Sequence, residues 1–359
     1  MKDFTILTMN FGSTSTKVAV FDGDTCQHVE IFRHDPKDMA GFQTMEDDAN
    51  FRKPIITNWL QEIGMELCEF DAIVGRGGLV RPLCGGTYAV NEAMLEDLHS
   101  CAYGKHVCNL GGILAAELTH DLGIPAFVVD PPVIDEMSSL AKLSGHPDHP
   151  RRPLFHALNQ KAIAKRFAHE IDIPYDSLRL IVCHMGGGIT VGAHRNGRIV
   201  DVNNGLEGEG AYTAERSGSL PVLDVLRIAF SGKYGTTYEE LRRHFSFECG
   251  LQGYTGSNNG IEIHQRMKSG DSKAERAYRG MAYQVSKEIS AMGAVLQGRV
   301  DAILLTGGFA HDKTLMRWIE ENVRFLAPVY IYPGEDEMLS MAQGAIRVLS
   351  GEEKVQVYK

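Results

Sequence analysis

The chain is 359 residues long, enough at roughly 150 residues per domain for about two domains with sizeable cores. Its 36 Lys and Arg stand against 46 Asp and Glu, a formal net charge of −10. That balance excludes a general nucleic-acid binder or an anionic-membrane binder, both of which need a basic surface, but not an anionic small molecule held in a local pocket.

The longest run without Asp, Glu, Lys or Arg, Leu180 to His194, is 15 residues, broken by glycines and short of the roughly 20 that span a membrane. The opening MKDFTILTMNFGS carries an early Asp and a short apolar stretch, unlike a secretory signal. Seven cysteines, an odd number without CxxC spacing, read as reduced thiols and point to a cytoplasmic protein without a zinc site.

Short apolar runs alternate with helical patterns, so the fold class is α/β. Residues 4–9 and 17–21 read as two strands joined by a turn of small polar residues, and 71–74, 126–129 and 301–305 as further strands. Helices are expected at 91–99, 111–121, 157–169, 221–230, 273–297, 313–324 and 337–349. In 273–297 the apolar stripe from Tyr278 through Met281, Val285, Ile289 and Met292 to Val295 marks a core face. Residues 5–21 and 179–195 share one layout of strand, polar residue, glycine-containing turn and strand, with Asn10 and Gly12 opposite His184 and Gly186. Spaced by half the chain, this is either a repeat of two similar halves or the ordinary likeness of any two strand–turn–strand units.

Glycine, 38 of 359, exceeds the usual ~7% and gathers in turns at strand ends. The turn Gly12-Ser13-Thr14-Ser15-Thr16-Lys17 offers backbone N–H groups and hydroxyls to anionic oxygens, or is a plain polar hairpin. It has neither P-loop nor GxGxxG spacing. Gly186-Gly187-Gly188, preceded by His184, lets backbone approach a ligand, as does Gly307-Gly308 after the strand 301–305. Arg76, in Gly75-Arg76-Gly77-Gly78, and Arg216, in Glu215-Arg216-Ser217-Gly218, lie in glycine-containing loops where a guanidinium fork suits phosphate or carboxylate. Asp130 ends a strand before Pro131-Pro132, and Glu337 opens the last helix. Either suits a Mg²⁺ carried on phosphates or a local cap. His106, just before a helix, reads as structural on spacing alone.

In chain order, these segments together with Arg152-Pro153-Leu154-Phe155-His156 resemble the acetate and butyrate kinase family of the actin-like ATPase superfold. The Pro131-Pro132 pair resembles its butyrate branch. The resemblance implies two similar domains of the ribonuclease H-like fold with a nucleotide cleft between them. They would cover residues 1–152, joined by a last helix and tail at about 340–359, and residues 153–339. It implies reversible transfer of the γ-phosphoryl group of ATP to butyrate or a branched short-chain acid, with acetate or propionate as the alternative, and a homodimer or higher oligomer. Asn10, Ser13, Thr14 and Lys17 would face the phosphates with Gly186 and Gly187, and His184 would hold the transferring phosphoryl. Arg76 and Arg216 would bind the carboxylate, Asp130 and Glu337 would position Mg²⁺ and the acceptor, His106 and His156 would contact substrate, and Gly307 and Gly308 would line the adenosine. Filament and chaperone proteins of the superfold use ATP as a switch. They need a water-activating carboxylate where this chain has Asn10, and partner-binding insertions that it lacks.

Overall fold

The alternation of apolar runs and amphipathic stretches becomes twelve strands and twelve α-helices in the computed structural model, which describes residues 4–359. In chain order they are β1 (Thr5–Gly12), β2 (Ser15–Asp22), β3 (Thr25–Arg33), α1 (Pro36–Met39), α2 (Met45–Glu62), β4 (Ala72–Arg76), β5 (Thr87–Ala89), α3 (Glu92–Ser100), α4 (Leu110–Thr119) and β6 (Ala126–Val129). There follow α5 (Ala157–Glu170), β7 (Arg179–Met185), β8 (Ile189–Arg195), β9 (Arg198–Val202), α6 (Val222–Phe230), α7 (Tyr238–Phe247), α8 (Gly250–Thr255), α9 (Gly260–Lys268) and α10 (Ser272–Val295). The chain closes with β10 (Ala302–Gly307), α11 (Lys313–Val323), β11 (Val329–Pro333), α12 (Glu337–Leu349) and β12 (Gln356–Val357). Every helix expected from periodicity is present, with ends displaced by at most two residues. No helix of the described residues is long and apolar enough to cross a membrane.

The chain divides into two compact units, one running to Asp135 and including Asp336–Lys359, the other Glu136–Glu335. In the first, the sheet order is β12-β5-β6-β4-β1-β2-β3; in the second it is β11-β10-β7-β8-β9. Both contain the same core: an antiparallel three-strand meander whose first strand pairs in parallel with a later one, which pairs in parallel with another. The likeness of residues 5–21 and 179–195 is thus a true repeat, β1–β2 matching β7–β8. The helix stripe on α10 is core as expected: Tyr278, Met281 and Ile289 are fully buried beneath the second sheet. Burying side chains of this size contributes about 1.5–3 kcal/mol each.

The expected boundary after residue 152 is incorrect, because 136–152 is sewn to the second unit. Glu136 accepts the Ile199 N–H at 2.8 Å and pairs with Lys161 at 2.8 Å, both side chains being buried. Ser138 N–H donates to Val200, and Arg151 binds the Asp201 carboxylate and the Val202 carbonyl. At the other end all of α12 belongs to the first unit. Gly344 lets it approach β6, since a Cβ there would lie 2.6 Å from both Val129 methyls. The tail is pinned by Tyr358, whose hydroxyl donates to buried Asp97 at 2.6 Å, and by Asn91, which binds the Tyr358 carbonyl.

Removing one partner of a buried ion pair leaves the other charge uncompensated. Lys161→Met should therefore destabilise the second unit by about 3–5 kcal/mol in urea unfolding, and adding Glu136→Gln should restore part of the loss.

Candidate active site

In the first unit, β1 and β4 run in parallel with Met9 beside Gly75, so the next residues, Asn10 and Arg76, emerge together at the strand ends. Glu337, the first residue of α12 and only 7% exposed, meets them. Asn10 Nδ2 donates to Glu337 Oε2 at 2.6 Å. Arg76 Nη1 lies 3.1 Å from the same oxygen and 3.4 Å from Asn10 Oδ1. One carboxylate oxygen therefore orients both an amide and a guanidinium. Lys17 is the register partner of Asn10 and shares its sheet face. Ser13 and Thr14 form the exposed tip of the two-residue turn.

The opposite face of this hairpin is braced by Arg52, which is fully buried. Its Nη1 donates to the Ser15 carbonyl at 2.6 Å and to Thr16 Oγ1 at 3.0 Å, while Nε pairs with Asp48. Sequence reasoning missed Arg52 because it sits in EDDANFRK, a charged run that reads as a solvated face.

Two expected residues are held elsewhere. Asp130 has a positive φ of 40° and is buried; its Oδ1 accepts the Gly86 N–H at 2.8 Å and its own N–H donates to the Gly86 carbonyl. These bonds lock the loop and do not join the Asn10–Arg76–Glu337 group. His106 is exposed and caps the turn before α4, its Nδ1 accepting the Cys108 N–H at 3.2 Å. Burial pushes the neighbouring Cys108 thiol up to about 12.

In the second unit His184 is the penultimate residue of β7 and is fully buried. Asn159 Nδ2 donates to the Glu335 carbonyl at 2.8 Å, which turns Asn159 Oδ1 toward His184 Nδ1, also at 2.8 Å. Because that oxygen only accepts, the proton of His184 is assigned to Nδ1. The His156 ring stacks on His184 with centroids 3.8 Å apart and planes at 17°. Glu335 Oε1 lies 3.6 Å from His184 Nε2.

The triple-glycine turn is tied to the Arg216 loop by one residue absent from the sequence reading, Thr213. Its hydroxyl donates to the Gly187 carbonyl at 2.9 Å and accepts the backbone N–H groups of Glu215 and Arg216. Arg216 Nη1 donates to the Gly205 carbonyl at 2.8 Å, and the guanidinium lies on Gly188, where a Cβ would stand 2.3 Å from Nη1. Arg216 is half-buried and, among the described residues, makes no ion pair. Burial pushes its pKa below the usual arginine value, and Glu215 opposes that shift. It stays charged. Isolated threonines in loops carry no sequence signal, whereas Asn159, a polar residue on the buried face of α5, offered one.

The glycines divide into two kinds by what an added Cβ would meet. A Cβ on Gly75 would meet the Gly111 carbonyl at 1.9 Å, one on Gly77 would meet Pro131 at 2.4 Å, and one on Gly78 would meet Leu98 at 2.5 Å. Gly75 allows β4 and α4 to touch, and so places Arg76, while Gly77 and Gly78 admit Pro131 and Leu98 beside the loop that follows. Gly307 has φ 92° and abuts the Met185 carbonyl, and a Cβ on Gly186 would lie 3.1 Å from both Glu335 and His184. Only Gly187 and Gly308 of the expected set face open space.

Among the described residues no group of three or more metal-ligating side chains occurs. One or two carboxylates suffice for an ion that arrives on phosphates. Glu337 commits Oε2 to Asn10 and Arg76, and neither of them binds its Oε1.

The acetokinase family model matches residues 147–352. Butyrate kinase 2 of Clostridium acetobutylicum is 48% identical over 356 residues, covering 99% of each chain. A probable butyrate kinase of Clostridium botulinum is 46% identical over 355 residues, again with 99% of each covered. Among solved structures, the acetate kinase of Porphyromonas gingivalis superposes with a TM-score of 0.79 at 19% identity, over 96% of this chain and 100% of that one. A ROK hexokinase of Thermus thermophilus shares the fold at a TM-score of 0.52 and 16% identity, with 97% and 99% covered. The fold is that of the actin-like ATPases, and the chain belongs to the acetokinase family.

Proposed function

We propose that this chain transfers the γ-phosphoryl group of ATP reversibly to the carboxylate of butyrate or a branched short-chain acid, giving an acyl phosphate and ADP. The reading of butyrate is supported by the full-length identity of 48% to a butyrate kinase. The reading of phosphoryl transfer is supported by Arg216, a half-buried guanidinium without an ion pair, beside stacked histidines and an open glycine backbone.

A carboxylate is already ionised at pH 7, so attack on phosphorus requires no general base. An acid oxygen bonds to the γ-phosphorus, the bond to the β–γ bridging oxygen breaks, and ADP leaves with that electron pair. The demand on the protein is positioning and positive charge. We assign the charge to Arg216 and Arg76, the latter oriented by Glu337. Asn10, Ser13, Thr14 and Lys17 hold phosphate oxygens together with the Gly186-Gly187 backbone. His156 donates to the phosphoryl and acid oxygens, and His184, whose Nδ1 proton is held by Asn159, holds the phosphoryl through Nε2 when that nitrogen carries a second proton. Gly307 and Gly308 line the adenosine, with Gly308 giving the open surface. Glu337 would hold Mg²⁺, with Asp130 supporting the acceptor through the loop it closes with Gly86, and His106 would contact the acid. When bound, the ion neutralises phosphate charge. A cytoplasmic setting fits the seven cysteines, all of which are free thiols.

Chain-length choice is worth only about 1–3 kcal/mol per methylene, so acetate and propionate are the competing substrates. With ATP and Mg²⁺ and hydroxamate trapping of the product, kcat/KM should be highest for butyrate or isobutyrate. Preference for acetate would overturn the choice of acid, and ADP release without hydroxamate would overturn the reaction.

The two kinds of glycine give a second test. Gly75→Ala should cost about 3 kcal/mol or more in stability through overpacking. Gly187→Ala and Gly308→Ala should leave the unfolding midpoint unchanged while lowering kcat/KM by about tenfold or more, the scale of 1.4 kcal/mol.

For assembly we propose a homo-oligomer joined through α6. This helix buries none of its residues and lines up Val222, Leu223, Leu226 and Phe230 on one face, Phe230 being 88% exposed. The double variant Leu223→Glu/Phe230→Glu should scatter light as a 39.6 kDa monomer, whereas the parent chain should show a multiple of that mass.

A further inference from the structure

Behind the stacked histidines lies a run of buried polar side chains that the reaction above leaves unused. Gln160 of α5 and Thr190 and His194 of β8 are all fully buried, and Tyr175 stands at the outer end. Tyr175 Oη lies 2.8 Å from His194 Nδ1, and His194 Nε2 lies 3.1 Å from Gln160 Oε1. Gln160 Nε2 is 2.9 Å from Thr190 Oγ1 and 3.2 Å from the Thr190 carbonyl, and Thr190 Oγ1 is 3.0 Å from His156 Nδ1.

One unambiguous group sets the direction of the bonds from Gln160 out to Tyr175. The Thr190 carbonyl only accepts, so the Gln160 amide nitrogen must face it and Gln160 Oε1 must face His194. That oxygen only accepts in turn, which puts the His194 proton on Nε2 and leaves Nδ1 to accept from the Tyr175 hydroxyl. Burial, with the Lys161 charge nearby, holds the His194 pKa down to about 3, so the ring stays neutral and its single proton stays in this arrangement. Gln160 gives its second amide hydrogen to Thr190 Oγ1, which leaves the Thr190 hydroxyl hydrogen available to His156 Nδ1 at 3.0 Å.

Two glycines are shaped to this run. A Cβ on Gly192 would lie 2.3 Å from Gln160 Oε1 and 3.3 Å from His194 Nε2, and one on Gly205 would lie 2.5 Å from the Thr190 methyl. Gly192 makes room for the amide, and Gly205 for the threonine rotamer.

We infer that Thr190, oriented by Gln160 and His194, is a positioning residue that fixes neutral His156 with its proton on Nε2. His156 then presents a hydrogen-bond donor rather than a lone pair to an anionic oxygen. The value of that donor rests on the phosphoryl-transfer reading; the tautomer itself does not. A cooperative chain of this kind is stronger than its isolated bonds, since each donor polarises the next.

The test uses full-length protein labelled with ¹⁵N-histidine, with long-range ¹H–¹⁵N correlation of the ring nitrogens and the His156 signals identified by their loss in His156→Gln. Wild type and Thr190→Ser should show His156 protonated on Nε2, and Thr190→Val should show the Nδ1–H form or a mixture. In turnover, Thr190→Val should lose about tenfold or more in kcat with KM changed far less, and Thr190→Ser should stay within about threefold of wild type, as expected when one hydrogen bond is redirected and then restored. An Nδ1–H His156 in the wild-type spectrum overturns the inference without any variant having to fold. So does a Thr190→Val protein that matches Thr190→Ser in tautomer or in kcat. Absence of acyl phosphate formation by wild type would overturn the reaction instead and leave the tautomer assignment standing.

Discussion

The site depends on a steric constraint: at the ends of the parallel strands, backbone must touch backbone. In the first unit Gly75 meets the Gly111 carbonyl, and in the second Gly307 meets the Met185 carbonyl. No side chain fits at either contact. Because β4 and α4 close without a gap, Arg76 is carried to the end of β1, where Asn10 and Glu337 receive it. Because β10 closes on β7, the glycine turn after His184 has a fixed floor. Packing of this density transmits position, so glycines remote from any ligand still set where the charged groups stand.

Charge follows the same economy. The overall field of −10 opposes anionic ligands, and most arginines near the candidate site are already neutralised. Arg151 is paired with Asp201 and Glu209, Arg152 with Glu207, and Arg76 with Glu337. Arg216 differs, holding one carbonyl and, among the described residues, no carboxylate. A guanidinium half removed from water, without a counter-ion, is costly to maintain alone and is relieved when an anion arrives. That difference sets it apart from Arg151 and Arg152 of the same unit.

How much of this was legible in the sequence follows from how each feature is encoded. Strands and helices with periodic apolar residues were readable because burial imposes the period, as the α10 stripe shows. The helices α1, α2, α7, α8 and α9 were not. The first is a turn of only four residues, and Pro54 interrupts the second. Arg76, Asn10, Glu337 and His184 were readable from their place at strand or helix ends and His156 through the family resemblance; the structure joins Arg76, Asn10 and Glu337 to one another and His156 to His184. The division of glycines into packing and open positions was not readable, because it depends on what stands opposite each one. The boundary near Asp135 was missed for a similar reason: the Glu136–Lys161 pair links residues 25 apart whose polarity alone suggests solvent.

The repeat also explains why a threonine matters in each half. Thr16 and Thr190 are each the second residue of the second strand, β2 and β8, and each is fully buried. Each hydroxyl receives a donor from a helix, Arg52 Nη1 at 3.0 Å and Gln160 Nε2 at 2.9 Å, and each faces a histidine, His34 at 2.9 Å and His156 at 3.0 Å. The supplying helices are not topological counterparts, since α2 follows its three-strand meander and α5 precedes its own. The arrangement is therefore set by the local demand of a buried hydroxyl, which must be satisfied wherever the strand places it. In the first half the donor is charged, and burial together with Arg52 pushes the His34 pKa down. In the second half the donor is neutral, which leaves the nearby positive charge to Arg216. The same backbone position thus carries a fixed cation under the hydroxyl-rich turn of Ser13 and Thr14, and an uncharged relay behind the histidine pair.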